Sequence, residues 1–310
     1  MTKKEVQEYI DDYISHAISM VEFGNSFVED LDEYINAARD EIEAILESHE
    51  YCKTKKVCNE ALAEINIVLE NLSSDLKEYS EDMIDEMIET ENDWLAGYVE
   101  NPLDIDFNYP DPAKAAQMLN IIPIAAAVAL NTFGPVIADR LRDIYKSVIS
   151  SSYITGASTS ELLEQYQPRL NSFERGYKAE GETIGESLSG QYDRIVFTKN
   201  DKKIKGYVWS AILDTSTCVV CGMLDGKKFN DISKVPMYPQ HLRCRCVLIP
   251  YTEDMEDVLP ETYQEWFEKQ STKDKRAILG KTRFQLYEQG MKIKNFVNNG
   301  KKTPLKDLNK

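Results

Sequence analysis

The chain has 310 residues, 42% hydrophobic and 10% aromatic, with a mean hydropathy of -0.44 and a formal net charge of -17. These values exclude a disordered chain, which would lack apolar residues to bury, and leave room for one large domain or two ordinary ones. The charge excludes general duplex binding by the first third: residues 1–100 hold 27 Asp and Glu against 7 Lys and Arg, while the other 210 residues hold 26 against 29, so any nucleic-acid contact is expected from the C-terminal part.

The opening MTKKEVQEYIDDY has no apolar core behind its basic start, so no secretory signal is expected and synthesis in the cytoplasm follows. In that compartment clustered cysteines serve more often as metal ligands than as disulfides.

Residues 1–100 are predicted to form an acidic helical domain. Phe27, Leu31, Tyr34, Ile35, Ala38, Ile42 and Ile45 recur at helical steps, as do Leu62, Ile65, Val68, Leu69, Leu72, Leu76, Tyr79, Met83 and Met87. Two long amphipathic helices follow, packed as a hairpin or against partner subunits. Cys52 and Cys58 lie near the join, at a spacing that suits neither a zinc knuckle nor a helical pair, and read as ordinary thiols. Residues 101–113, with three prolines, read as a linker or extended arm.

A helical domain is expected over 114–193. Its segment 118–138 carries no charge, but Pro123, Gly134 and Pro135 interrupt it, which favours a buried helix or helix pair over a membrane-active segment. Gly156 suits a C-terminal cap, and Ser158 with Glu161 a capping box.

From Arg194 the period changes. RIVFTKNDKKIKGYVWSAIL reads as a hairpin, Asp225–Gly226 as a turn and CRCVLIPY as a closing strand, giving a small antiparallel β module over 194–256. The segment 257–310 then reads as C-terminal helices, one opened by Ser271 with Asp274 and stopped by Gly290. The fold class is α+β, mainly α.

Four of six cysteines fall within CVVCGMLDGKKFNDISKVPMYPQHLRCRC. Zinc takes four tetrahedral thiolate or imidazole ligands, and Cys218–x–x–Cys221 can turn two thiols to one ion. Five candidates compete for the four places: Cys218, Cys221, His241, Cys244 and Cys246. The first choice is Cys218, Cys221, His241 and Cys244; on a strand Cys246 would face the same way as Cys244 and could replace it. One structural Zn²⁺ is expected, because no HExxH or HxE motif supplies a general base beside an open coordination position. Arg243 and Arg245 are expected to pair with carboxylates such as Asp214 or Asp225, and Trp209 and Trp266 to anchor cores.

The run VWSAILDTSTCVVCGMLDGKKF, then Pro239–Gln240–His241–Leu242–Arg243–Cys244–Arg245–Cys246 and Pro250, resembles the minor head, or head-morphogenesis, family of tailed bacteriophages named after the F protein of phage Mu. Trp266 with Gln270, and Ile278–Leu279–Gly280, extend the likeness over roughly residues 150 to 308. The acidic first hundred residues carry none of it. The resemblance implies a non-enzymatic virion protein at the portal vertex, in several copies, acting in head assembly, genome packaging or delivery and binding metal through the Cys/His set. Portal protein is the expected partner, with capsid protein and packaged DNA as further ones. The extra C-terminal toxin or enzyme domain of some members is not expected in the 64 residues after Cys246. Two alternatives stand beside this reading: a metal-dependent nuclease using His241, and a DNA-associated ejection protein that brings residues 118–138 to the host membrane.

Overall fold

Helix α1 (Lys3–Ser48) forms because one face is apolar along its length: Val6, Tyr13, Met20, Phe27, Leu31, Ile35, Ile42 and Leu46 recur at helical steps and are buried in the computed structural model, which describes residues 1–124, 128–255, 262–298 and 300–308. Tyr34, expected on that face, stands at its edge with 38% exposure. Helix α2 (Lys55–Trp94) repeats the pattern through Ile65, Leu69, Leu72, Leu76, Met83 and Met87. Between the two helices Cys52 and Cys58 are buried, and the Cys58 thiol lies 3.5 Å from the Cys52 carbonyl.

The chain leaves α2 through a π-helical turn, Leu95–Glu100, and a short α3 (Asn101–Leu103), which Asp104 ends at φ 53°. The arm that follows is packed rather than free: Ile105 and Phe107 are buried, and Asn108 donates its amide hydrogen to Asn200 at 2.9 Å. Helices α4 (Pro112–Ile121), α5 (Leu130–Thr155), α6 (Thr159–Gly181) and α7 (Ile184–Asn200) come next, with the Gly156 cap and the Ser158–Glu161 capping box where expected. The apolar segment 118–138 is thus divided between α4 and α5, and its residues 125–127 lie outside the described ones. Among the described residues no helix is long and apolar enough to cross a membrane.

One sequence expectation is corrected here. RIVF is not the first arm of a hairpin but the end of α7, because Ile184, Leu188, Tyr192 and Val196 form a stripe at four-residue steps that bury together, and this helical face overrides the local β propensity. Strand β1 (Gly206–Ser210) finds its partners further on. A short α8 (Val219–Leu224) follows, then β2 (Lys228–Phe229) and β3 (Val247–Tyr251), in an antiparallel sheet ordered β2-β1-β3. Trp209 sits opposite Leu248 and Tyr207 opposite Phe229. Helices α9 (Tyr263–Lys269) and α10 (Thr272–Glu288), a β4–β5 hairpin (Val297–Asn298, Lys301–Lys302) and α11 (Leu305–Leu308) close the described chain. Mainly helical with a small antiparallel sheet, the fold is α+β.

Two compact units arise, each from segments distant in sequence. One comprises Met1–Val21, Thr90–Pro110 and Ser189–Lys310; the other comprises Glu22–Glu89 and Asp111–Leu188. The boundaries read at 100/101, 113/114 and 193/194 therefore fall inside helical runs, and that at 256/257 lies outside the described residues. The second unit carries 29 acidic and 12 basic residues, the whole net charge of the chain. Its helices approach closely, with a Cβ on Gly134 falling 2.5 Å from the Ser73 carbonyl, and Arg140 grips Glu180 through two hydrogen bonds of 2.8 Å.

Among its described residues the first unit buries the carboxyl groups of Glu91 and Asp193, with the His16 ring 2.8 Å from Glu91 and stacked on Trp94. Burial, then the Glu91 charge, holds the Asp193 carboxyl well above the usual range. The folded state therefore binds a proton that the unfolded chain releases near pH 3.9, so this group's contribution is present in acid and lost as pH rises. Asp193→Asn, which does not titrate, should gain in denaturant midpoint over the natural chain progressively as pH rises above about 4; a difference independent of pH would contradict the buried proton.

Candidate metal centre

The cluster is built where regular structure runs out. After β1 the chain turns through Asp214, whose carboxylate accepts the amide hydrogens of Ser216 at 2.9 Å and Thr217 at 3.0 Å and a hydrogen bond from Arg245 at 2.7 Å. Although burial pushes this carboxyl up, the Arg245 guanidinium and the two amides hold it below its ordinary value. The turn delivers Cys218 to the start of α8, where its thiol caps the helix by accepting the Cys221 amide hydrogen at 3.5 Å. One helical turn then sets Cys221 beside Cys218.

The second ligand group comes from a tight turn rather than from a strand. The Cys244 amide donates to the His241 carbonyl at 3.0 Å, and Arg243 between them takes the left-handed region at φ 60°. Strand β3 begins only at Val247, so the extended pairing expected for Cys244 and Cys246 does not occur. Both thiols nevertheless reach Cys221. Two trios of ligand atoms, Cys218–Cys221–His241 and Cys221–Cys244–Cys246, each lie within 4.8 Å of one another and share Cys221. All five residues singled out in the sequence are together.

The distances suit a small cation. His241 Nε2 is 3.2 Å from the Cys218 sulfur and 3.3 Å from that of Cys221, and the Cys221 and Cys244 sulfurs are 3.7 Å apart. Tetrahedral ligation at ordinary zinc bond lengths would separate two sulfurs by about 3.8 Å and a sulfur from a nitrogen by about 3.6 Å. The imidazole is also turned the right way for ligation, since Nδ1 donates to the Leu242 carbonyl at 2.8 Å and so leaves the Nε2 lone pair facing the thiols. A space of about 10 Å³ lies among these side chains, roughly what one water-sized body fills.

Without a cation the protons compete. The Cys218 thiol is pulled down to about 4, first by the hydrogen bond from Cys221 and then by His241. Cys244 falls to about 2 under hydrogen bonds from Cys221 and Cys246. Cys221 is driven up, chiefly by Cys218, while Cys246 is raised by Cys244 and burial against the downward pull of Cys221. The hydrogen bond to Cys218 lifts His241 to about 9. Crowded sulfurs that cannot all keep or all lose their protons are the donor set that a soft divalent metal neutralises, so these residues could hold a metal ion.

Residues outside the ligand set complete the frame, and the sequence marks them only in part. Asp225 accepts amide hydrogens from Ala211 at 2.7 Å and Tyr263 at 2.6 Å, tying the end of β1 to the start of α9; burial pushes its carboxyl to about 6. The Asp–Gly turn signal marked that position but not its second bond. Tyr263, whose hydroxyl donates to the Thr217 carbonyl at 3.1 Å, has its ring packed against Gly222, and nothing in local sequence links the two. Trp209 is fully buried, and Trp266 packs against the cluster of Val219, Tyr263, Phe267, Leu279 and Phe284. A cavity of about 820 Å³, walled by Ile10, Ile14, Val208, Leu213 and Ile249, shares only Ile212 with the thiol site and is separate from it.

The chain matches no protein-family model, and no curated protein or solved structure matches it.

A Cβ on Gly222 would fall 2.2 Å from the Tyr263 ring. Gly222→Ala should therefore cost about 1–3 kcal/mol of stability and loosen metal retention, since ring and ligand helix must separate. Urea unfolding together with metal release to a chromophoric chelator checks this; unchanged values for both would contradict the packing.

Proposed function

We propose that this chain is a non-enzymatic minor head protein of a tailed bacteriophage, seated in several copies at the portal vertex, with one structural Zn²⁺ shaping the module through which it docks. One observation carries the reading: the residues that bear the family likeness come together from segments twenty residues apart in two trios joined at Cys221, Cys218 and His241 on one side of it and Cys244 and Cys246 on the other. Cys244 is the preferred fourth ligand, being 3.7 Å from Cys221 and in one turn with His241, and Cys246 backs it.

A structural ion suits this place. The segment between Ala211 and Cys246 contains one helix of six residues, a two-residue strand and a three-residue 3-10 turn, so little else organises it. Zinc affinity on the order of 10 kcal/mol would add directly to its folding. Four protein ligands leave no open coordination position, and a space of about 10 Å³ has room for an ion but not a substrate. Thiolates stand where a hydrolytic magnesium site would want carboxylates and water, which weighs against the nuclease reading. Portal protein is the proposed partner, capsid protein and packaged DNA secondary ones.

Two outcomes check the reading. Purified protein should contain one zinc per chain, and Cys244→Ser should lose it while Cys246→Ser retains most of it; the reverse order would make Cys246 the ligand. Co-sedimentation should pair the protein with portal rings in preference to capsid protein. Zinc-loaded protein that ignores portal rings would overturn the assignment to the portal vertex.

A further inference from the structure

The C-terminal segment is charged unlike the rest of the chain. Residues 262–310 hold twelve Lys or Arg against five Asp or Glu, a balance of +7 in a protein of net -17. Part of this charge is concentrated at α10. That helix is broken at Gly280, whose φ of 72° and ψ of 163° belong to a region open essentially to glycine alone. The break sets two short helical faces around a depression of about 570 Å³, with Thr272, Lys273 and Arg276 on one side and Lys281, Gln285 and Glu288 on the other.

Among the described residues, no ion pair or hydrogen bond holds the Lys273, Arg276 or Lys281 side chain, and all three are exposed. This contrasts with their neighbours: Lys275 is engaged by Glu268, and Arg283 donates to the Thr303 carbonyl at 2.7 Å. Three unspent cations line this concavity against one carboxylate, Glu288, with a hydroxyl and an amide beside them, and this net positive wall forms a surface for the oxygens of a phosphate chain.

We propose that the Gly280 break in α10 is a contact for the phosphate backbone of duplex DNA, made by Lys273, Arg276 and Lys281. Duplex is favoured over an anionic membrane because none of the large apolar side chains exposed among the described residues lies on α10, whereas helices that settle into a bilayer interface need such groups on the buried face. The contact is independent of sequence, since the site offers charge and no shape for reading base edges. It does not rest on the metal or on the portal vertex, so its failure leaves those readings standing.

The test uses the full-length, metal-loaded chain and a short labelled duplex of mixed sequence, titrated by fluorescence anisotropy between about 50 mM and about 200 mM salt. The triple variant Lys273→Gln, Arg276→Gln, Lys281→Gln should bind at least about ten-fold more weakly, and its slope of log affinity against log salt should be shallower by nearly three. Lys55→Gln, Lys56→Gln, Lys77→Gln removes equal charge from α2 and should leave affinity unchanged, while circular dichroism confirms that both variants fold. Absent duplex binding at the lowest salt, or equal losses in both triple variants, would overturn the proposal. So would vesicles of anionic lipid captured through these three residues while the duplex is not.

Discussion

Five soft donors are packed so closely that they cannot share protons consistently, and the local fold depends on how that conflict is resolved. Cys218 and Cys244 are driven toward thiolate, Cys221 and Cys246 toward thiol, and His241 toward the charged imidazole. A divalent cation bound there would replace those competing protons. Around this point regular structure is sparse, and the order comes from single polar staples: Asp214 to the turn before Cys218, Asp225 to β1 and α9, and His241 Nδ1 to the Leu242 carbonyl.

The same logic couples the cluster to the C-terminal helices. Gly222, one residue beyond Cys221, admits the ring of Tyr263, and Tyr263 reaches back to Thr217, so the helix bearing two ligands is clamped against α9. From there the apolar contacts run through Phe267, Leu279, Phe284 and Phe296. The thiol cluster, the aromatic ring and the C-terminal core thus form one continuous piece of the first unit. The greater part of α1 and α2, Glu22–Glu89, belongs to the second unit, which carries the negative charge of the chain.

Much of this was legible in the sequence because it is encoded locally. The apolar stripe of α1, the capping box at Ser158 and the two-residue gap between Cys218 and Cys221 are read over a few residues, and they stand where expected. What stayed hidden depends on residues far apart. Arg194–Phe197 looked like a strand because Val196 and Phe197 favour one, yet the place of Val196 in the stripe that starts at Ile184 decides the matter. Likewise Cys244 and Cys246 suggested an extended pair, whereas the left-handed Arg243 turns the chain beside His241. The arm after Asn101 carries linker composition but is held by Asn200, a partner about ninety residues away.

The most direct test of the central claim is X-ray absorption at the zinc edge on the purified full-length protein. The account predicts a first shell of three sulfurs near 2.3 Å and one nitrogen near 2.0 Å, with the outer-shell signature of a single imidazole. A shell of oxygen and nitrogen alone, or protein that keeps its fold with no bound metal, would contradict it.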